Sequence, residues 1–198
     1  MAITAVPIVV RQSKTNNAPV VANVGEKASQ TFKAGTVVAL STGYIAAWGG
    51  ANPAGVPVLC GVSIVAGSNL TTANTAKTLT FGSVPNQSSA VNIPIGAPAN
   101  DGKCEIYTAN QNTIFAATFG NNGSAATIAV TDVGVKYGLT IDSGSNYWYV
   151  DKNKTTVGTN TAVQVEGIDP MTSANGTSIS ANTLALFSFE QAVVQTVS

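Results

Sequence analysis

Turn-forming clusters punctuate this chain about every 8 to 12 residues, the spacing of an all-β protein built from short strands. Thr36-Val-Val-Ala-Leu40, a Ser41-Thr-Gly43 turn and Tyr44-Ile-Ala-Ala-Trp48 read as a hairpin. Val56 to Val65 reads as an apolar strand region, broken at Pro57 and bulged at Gly61. Lys77 to Phe81, Val91 to Ile95, Cys104 to Thr108, Thr113 to Phe119, Ala126 to Val130, Leu139 to Ile141, Tyr147 to Val150, Ala162 to Ile168 and Leu184 to Phe189 read as further strands. Gln191 to Val197 is available to close a sheet. No long segment places apolar residues at i, i+3, i+4 and i+7 among good helix formers. The 24 threonines, 19 glycines and 8 prolines reinforce the β reading, since β-branched residues fit a pleated surface and glycine and proline mark its turns.

The expected fold is therefore all-β, with short-strand β-barrel or β-sandwich units in tandem behind an extended N-terminal arm. The arm covers residues 1–30, a first barrel-like unit 31–100, and a second sandwich or barrel unit 101–198. Whether the two units pack as one sandwich or as separate barrels is open. In the arm, Pro7 limits Ile3 to Val10 to an edge strand or to a partner's sheet. A loose terminus is the plain alternative. Gly61 to Asn69 echoes Gly138 to Asn146 at five of nine positions, which fits either related units or chance in a narrow alphabet.

Charge narrows the function classes. Charged residues make up 9% of the chain and sum to zero, against about 25% in an average domain. Basic nucleic-acid domains and charged coiled coils are excluded on that ground. So sparsely charged a surface protects poorly against association, which suits a chain that lives in an assembly. Residues 1–100 carry five basic and one acidic group, and residues 101–198 four basic and eight acidic, a polarity suited to oriented docking. The start Met1-Ala-Ile-Thr-Ala-Val-Pro7 lacks the basic and apolar regions of a secretion signal. No apolar run is long enough to span a bilayer as a helix.

Histidine is absent, which removes Ser-His-Asp and Cys-His catalysis, His-zinc sites and a histidine pH switch. Cys60 and Cys104 are two ligands without partners; buried free thiols or one disulfide both fit them. No cofactor-binding motif occurs. Asp142, Asp151, Glu166 and Asp169 are the candidates for a carboxylate pair of the glycosidase kind, and nothing in the sequence brings two together. Asp142-Ser-Gly-Ser-Asn146 lacks the further carboxylates of a calcium loop and reads as an Asx turn between strands. In Tyr147-Trp148-Tyr149 the tyrosines share one face and Trp148 takes the other, giving core on one side and an interface or glycan platform on the other. The partner-binding candidates are Ile3, Val9, Val10 and Arg11 of the arm, and Trp148.

Phe32-Lys-Ala-Gly-Thr-Val-Val-Ala-Leu40, Gly43-Tyr-Ile-Ala and Gly61-Val-Ser resemble the small β-barrel decoration proteins of tailed-bacteriophage capsids. Asp132 to Thr140, Tyr147 to Asp151 and Val163 to Pro170 are similar to C-terminal modules of phage head proteins. The resemblance implies a cement protein: made in the host cytoplasm, placed on the outer surface of the virion, bound to the major capsid protein and to itself, most often as a trimer. It implies no enzyme activity, cofactor, nucleic acid or membrane. It assigns shape and assembly rather than individual residues. Two other readings stand beside it: a head-fibre, tail or adhesin module that binds a host glycan through Trp48 or Trp148, and a carboxylate-based glycan hydrolase.

Overall fold

The computed structural model describes residues 2–14, 18–27, 29–41, 44–50, 59–67, 102–156, 161–170 and 184–190, together with the strands at 77–80 and 90–93; of those two strands and of residues 102 and 103 it describes the backbone alone. Fourteen strands and one turn of 3-10 helix account for the regular structure of the described residues.

Five strands close the first barrel in the order β2 (Val21–Glu26), β4 (Tyr44–Ala47), β3 (Val37–Ser41), β5 (Leu59–Ser63) and β8 (Gly102–Thr108). The hairpin between β3 and β4 is the expected one, with Ser41 opposite Tyr44. Period-2 alternation sorts the side chains. Val38 and Leu40 point inward with Ile45, Cys60, Cys104 and Ile106, while Val37 and Ala39 point outward. The expected bulge is present: Val38 faces Gly61 but Ala39 faces Leu59, so β5 carries one extra residue there. Gly61 is required by close approach, because a Cβ at this position would lie 1.9 Å from the Tyr107 carbonyl oxygen.

The second barrel comprises β9 (Thr113–Asn121), β12 (Trp148–Asp151), β11 (Lys136–Ile141), β13 (Val163–Ile168) and β14 (Leu184–Phe189), which returns to pair with β9. Closure removes the unpaired edges that an open sheet would expose. Phe115, Phe187 and Phe189 fill its interior, with ring centroids 5.2 to 5.7 Å apart. Strand β9 is long enough to serve two neighbours along one edge, β1 (Val9–Ser13) at Thr113–Ala116 and then β12 at Phe119–Gly120. Its hairpin to β10 (Ser124–Ala125) turns through Asn122 and Gly123, both with positive φ, as a two-residue hairpin turn requires. A separate ribbon pairs β6 (Lys77–Thr80) with β7 (Ala90–Ile93).

Chain order differs from a simple tandem. β1 joins the sheet of the second barrel, β2, β3, β4, β5 and β8 supply the first, and the chain then returns to β9. The first barrel is thus inserted between β1 and β9. The boundaries at 30 and 100 move accordingly: β2 lies within the range read as arm, and β8 lies within the range read as second unit. Ala126 to Val130 is a second correction. Asp132 accepts a hydrogen bond from the Ala129 amide, and the segment turns through a 3-10 helix at Val130–Asp132 instead of forming a strand. The proposed closing strand at Gln191 to Val197, and Val56 to Val58 with Pro57, lie outside the described residues.

One set of the first barrel's outward side chains does not face solvent. Val37, Ala39, Trp48, Leu59 and Val62 join Phe119, Leu139, Trp148 and Val150 in one continuous cluster spanning both barrels. The internal echo falls on β5 in one barrel and β11 in the other.

Candidate partner-binding face and the cleft between the barrels

The arm lies on its own chain. Ile3 donates its amide to the Gly123 carbonyl, Ala5 to the Asp142 carboxylate, Val6 to Thr118 Oγ1, and Ile8 to the Gly35 carbonyl of the first barrel. Beyond Ile8, β1 pairs with β9. Arg11 Nε sits 2.8 Å from the buried Asp169 carboxylate, and Lys14 pairs with Glu166. Alternation along the arm buries Ile3, Ala5 and Ile8 and turns Val6, Pro7 and Val9 outward. Gly120 makes the docking possible: a Cβ there would lie 2.4 Å from Ile3 Cδ1 and 2.8 Å from the Tyr149 ring.

The five sequence candidates divide on this geometry. Ile3 is buried against Ala5 and Tyr149, so it anchors the arm and is not displayed. Arg11 is held by Asp169. Trp148 is 2% exposed and stacks on Trp48 at 4.7 Å, so it is no open platform. Val9 remains exposed at 38%, and Val10 is half-buried beside it. Both line a groove of about 390 Å³ with Pro7, Ile64, Tyr107 and Tyr147, and no charged residue among the described ones borders it. The groove runs along β1, whose second edge carries no strand among the described residues.

The four candidate carboxylates each hold hydrogen bonds or ion pairs within the chain. Asp142 accepts from the amides of Gly144, Ser145 and Ala5 and from Ser145 Oγ, closing the expected Asx turn and clamping the arm at once. Those bonds, Ser145 foremost, hold its carboxyl below the usual range. Asp151 accepts from the amides of Asn122 and Asn153 and from Thr140 Oγ1. Glu166 takes Lys14 and Ser188, and Asp169 takes Arg11. Asp132 joins Tyr137 Oη at 2.7 Å and Lys152 Nζ at 2.9 Å. Its burial works against the charged form, yet the bonds from Ala129, Tyr137 and Lys152 prevail and lower its pKa. No group of three metal-ligating side chains gathers among the described residues. A polar cleft of about 280 Å³ holds the pairs Lys14–Glu166 and Lys136–Glu190.

Between the barrels, Lys33 reaches from the first unit to the Ser145 carbonyl at 2.9 Å and lies over the Tyr147 ring. Beside it is a cleft of about 370 Å³ bordered by Trp48, Trp148, Thr36, Gln30, Ile141 and Asn146. Gly50 adopts φ +80° where a Cβ would press on the Trp148 ring at 3.2 Å. Trp48 Nε1, Trp148 Nε1 and Thr36 Oγ1 are buried and have no hydrogen-bond partner among the described residues. Each such orphan costs about 1–3 kcal/mol. Sequence reading found both tryptophans but not their stacking, because nothing local links positions 48 and 148.

No protein-family model, curated protein or solved structure matches the chain.

Proposed function

We propose that this chain is a non-enzymatic virion structural protein that binds the outer surface of a phage capsid and stabilises the shell by bridging capsomers, acting as a homotrimer. The observation that carries the reading is the groove along β1, bordered by no charge among the described residues and lined by the exposed Val9 with Val10 half-buried beside it. An extended segment of a capsid protein can add to such an edge through main-chain hydrogen bonds, with apolar side chains in the groove. The sparse charge and the fused double-barrel core suit a rigid body whose work is contact. Stabilisation then follows mass action, because a ligand of the assembled shell that ignores free subunits shifts the balance toward the shell.

The test is co-sedimentation of the purified protein with undecorated heads. Saturable binding is expected, and a Val9→Asn variant should lose much of it while melting like the parent. Deleting the arm is a poor test, since Ile3, Ala5 and Ile8 are part of the folded body. No binding by the parent protein would end the reading.

A further inference from the structure

The hairpin from β9 to β10 turns on Asn122-Gly123, a pair with a chemistry of its own. Its glycine nitrogen can attack the asparagine side chain, because no Cβ on the glycine obstructs the approach. A bond forms from the Gly123 nitrogen to Asn122 Cγ, and the bond from Cγ to Nδ2 breaks. The Gly123 amide proton passes to solvent base, and the side-chain nitrogen leaves as ammonia. Water then opens the succinimide ring at one carbonyl to give aspartate, or at the other to give isoaspartate. Water is the only co-reactant. Residues 121–124 are exposed, and a Cβ on Gly123 would meet nothing within 4 Å, so water reaches the site.

Conformation is what holds the reaction back. Asn122 and Gly123 take φ of 48° and 80°, the left-handed pair of a two-residue hairpin turn. Closing the ring requires Asn122 to rotate out of that turn. Three hydrogen bonds oppose the rotation. The Asn122 amide donates to Asp151 Oδ1 at 2.9 Å and the Gly123 amide to Tyr149 Oη at 2.8 Å, both in β12. The third comes from the arm: the Ile3 amide donates to the Gly123 carbonyl at 3.1 Å, and Ala2 bridges to Ser124 beside it. We propose that Asn122 is a site of spontaneous deamidation held latent by the docked arm, and that its modification keeps the arm from docking again. Isoaspartate adds a backbone carbon to a two-residue turn, so Ser124 no longer faces Asn121 and the Gly123 carbonyl moves away from Ile3. Either product sets a carboxylate near that of Asp151, and like charges repel. The arm is thereby a one-way latch: docked, it protects the turn; released, it exposes the turn to a change that cannot be reversed.

The full-length protein is incubated in mildly alkaline buffer, and conversion at Asn122 is followed by peptide mapping with mass spectrometry. A sample in denaturant gives the rate of the unrestrained pair, checked against Asn175-Gly176 in the same digests. Native Asn122 should convert about tenfold or more slowly than in denaturant. Asp142→Ala and Thr118→Val remove the acceptors of the Ala5 and Val6 amides while the turn keeps its own bonds. Each should speed conversion about threefold to tenfold, the worth of one hydrogen bond, in step with faster hydrogen exchange at the Ile3 amide. Tyr149→Phe frees the Gly123 amide and should speed it directly. Equal rates in native and denatured protein would overturn the proposal. Faster exchange at Ile3 with unchanged conversion at Asn122 would overturn the arm's part in it, as would acceleration by Tyr149→Phe alone. If Ile3 exchange stays slow in both arm variants, sub-denaturing urea releases the arm and the same comparison is read there. The isoaspartate form, separated by chromatography, should exchange its Ile3 and Ala5 amides faster than the unmodified protein; equal protection would overturn the latch.

Discussion

The two cysteines show how burial sets chemistry. Cys60 and Cys104 lie inside the first barrel as free thiols, and desolvation pushes both up to about 12 from an ordinary 9.0. They should resist alkylation in the native protein at pH 8 and react at once in denaturant, measured by mass increase. Their titration also predicts alkaline sensitivity. The unfolded chain gives up these protons first, so their contribution is complete below pH 9 and is lost as pH rises toward 12. Urea unfolding should lose about 1.4 kcal/mol per thiol for each pH unit above the unfolded value. A Cys60→Ala/Cys104→Ala variant should show a much shallower decline between pH 9 and pH 10. Above that range Tyr137 and Tyr149 add to the loss, since burial raises both. The Arg11–Asp169 pair makes a complementary point. Asp169 is 1% exposed, so Arg11→Met removes one charged partner of a buried carboxylate and should cost about 2 kcal/mol in chemical denaturation. Asp169→Asn leaves Arg11 with access to water and should cost less.

At the scale of elements, two glycines separate what a strand tolerates from what it does not. In Gly120→Ala the new methyl meets the tip of Ile3, which can yield by moving the arm, and the edge of the buried Tyr149 ring in β12, so a loss of about 1–3 kcal/mol is expected in thermal melts. In Gly61→Ala it meets the Tyr107 carbonyl in the neighbouring strand, and backbone cannot step aside inside a closed barrel. That variant should fail to accumulate as folded protein. Asp142→Ala tests the arm in the same spirit: hydrogen exchange at the Ala5 amide should accelerate while the β13–β14 amides hold. These elements were unevenly legible in the sequence. The β3–β4 hairpin, the bulge at Gly61 and the Asx turn at Asp142 follow from local chemistry, and local chemistry is what a sequence displays. The strand expected at Ala126 to Val130 failed because Asp132 reaches back to Ala129 and is itself fixed by Tyr137 and Lys152. Those partners come from outside the segment, so no pattern within it could have signalled them.

The whole molecule was legible as two all-β units but not as one barrel set inside another. Composition shifts and turn clusters mark where a chain bends, not which sheet it rejoins, and β1 returns to its barrel only by pairing with β9, about a hundred residues away. The arm's docking was hidden for the same reason: Asp142, Thr118 and Gly123 look unremarkable until the fold gathers them beside residues 3 to 6. Insertion has an energetic consequence. Within the shared core, Trp48 of the first barrel stacks on Trp148 of the second. A core continuous across both barrels couples their unfolding, so calorimetry should show a single cooperative transition with matching calorimetric and van't Hoff enthalpies. Trp48→Ala removes the stack and leaves a void at the junction, at a cost of about 3–5 kcal/mol. If the junction is what joins the barrels, that variant should split the transition in two, with the first barrel melting earlier because it has the smaller private core. A melt that merely moves lower while staying single would locate the coupling in β1 and the β8–β9 connection, whose covalent and hydrogen-bonded ties Trp48→Ala leaves intact.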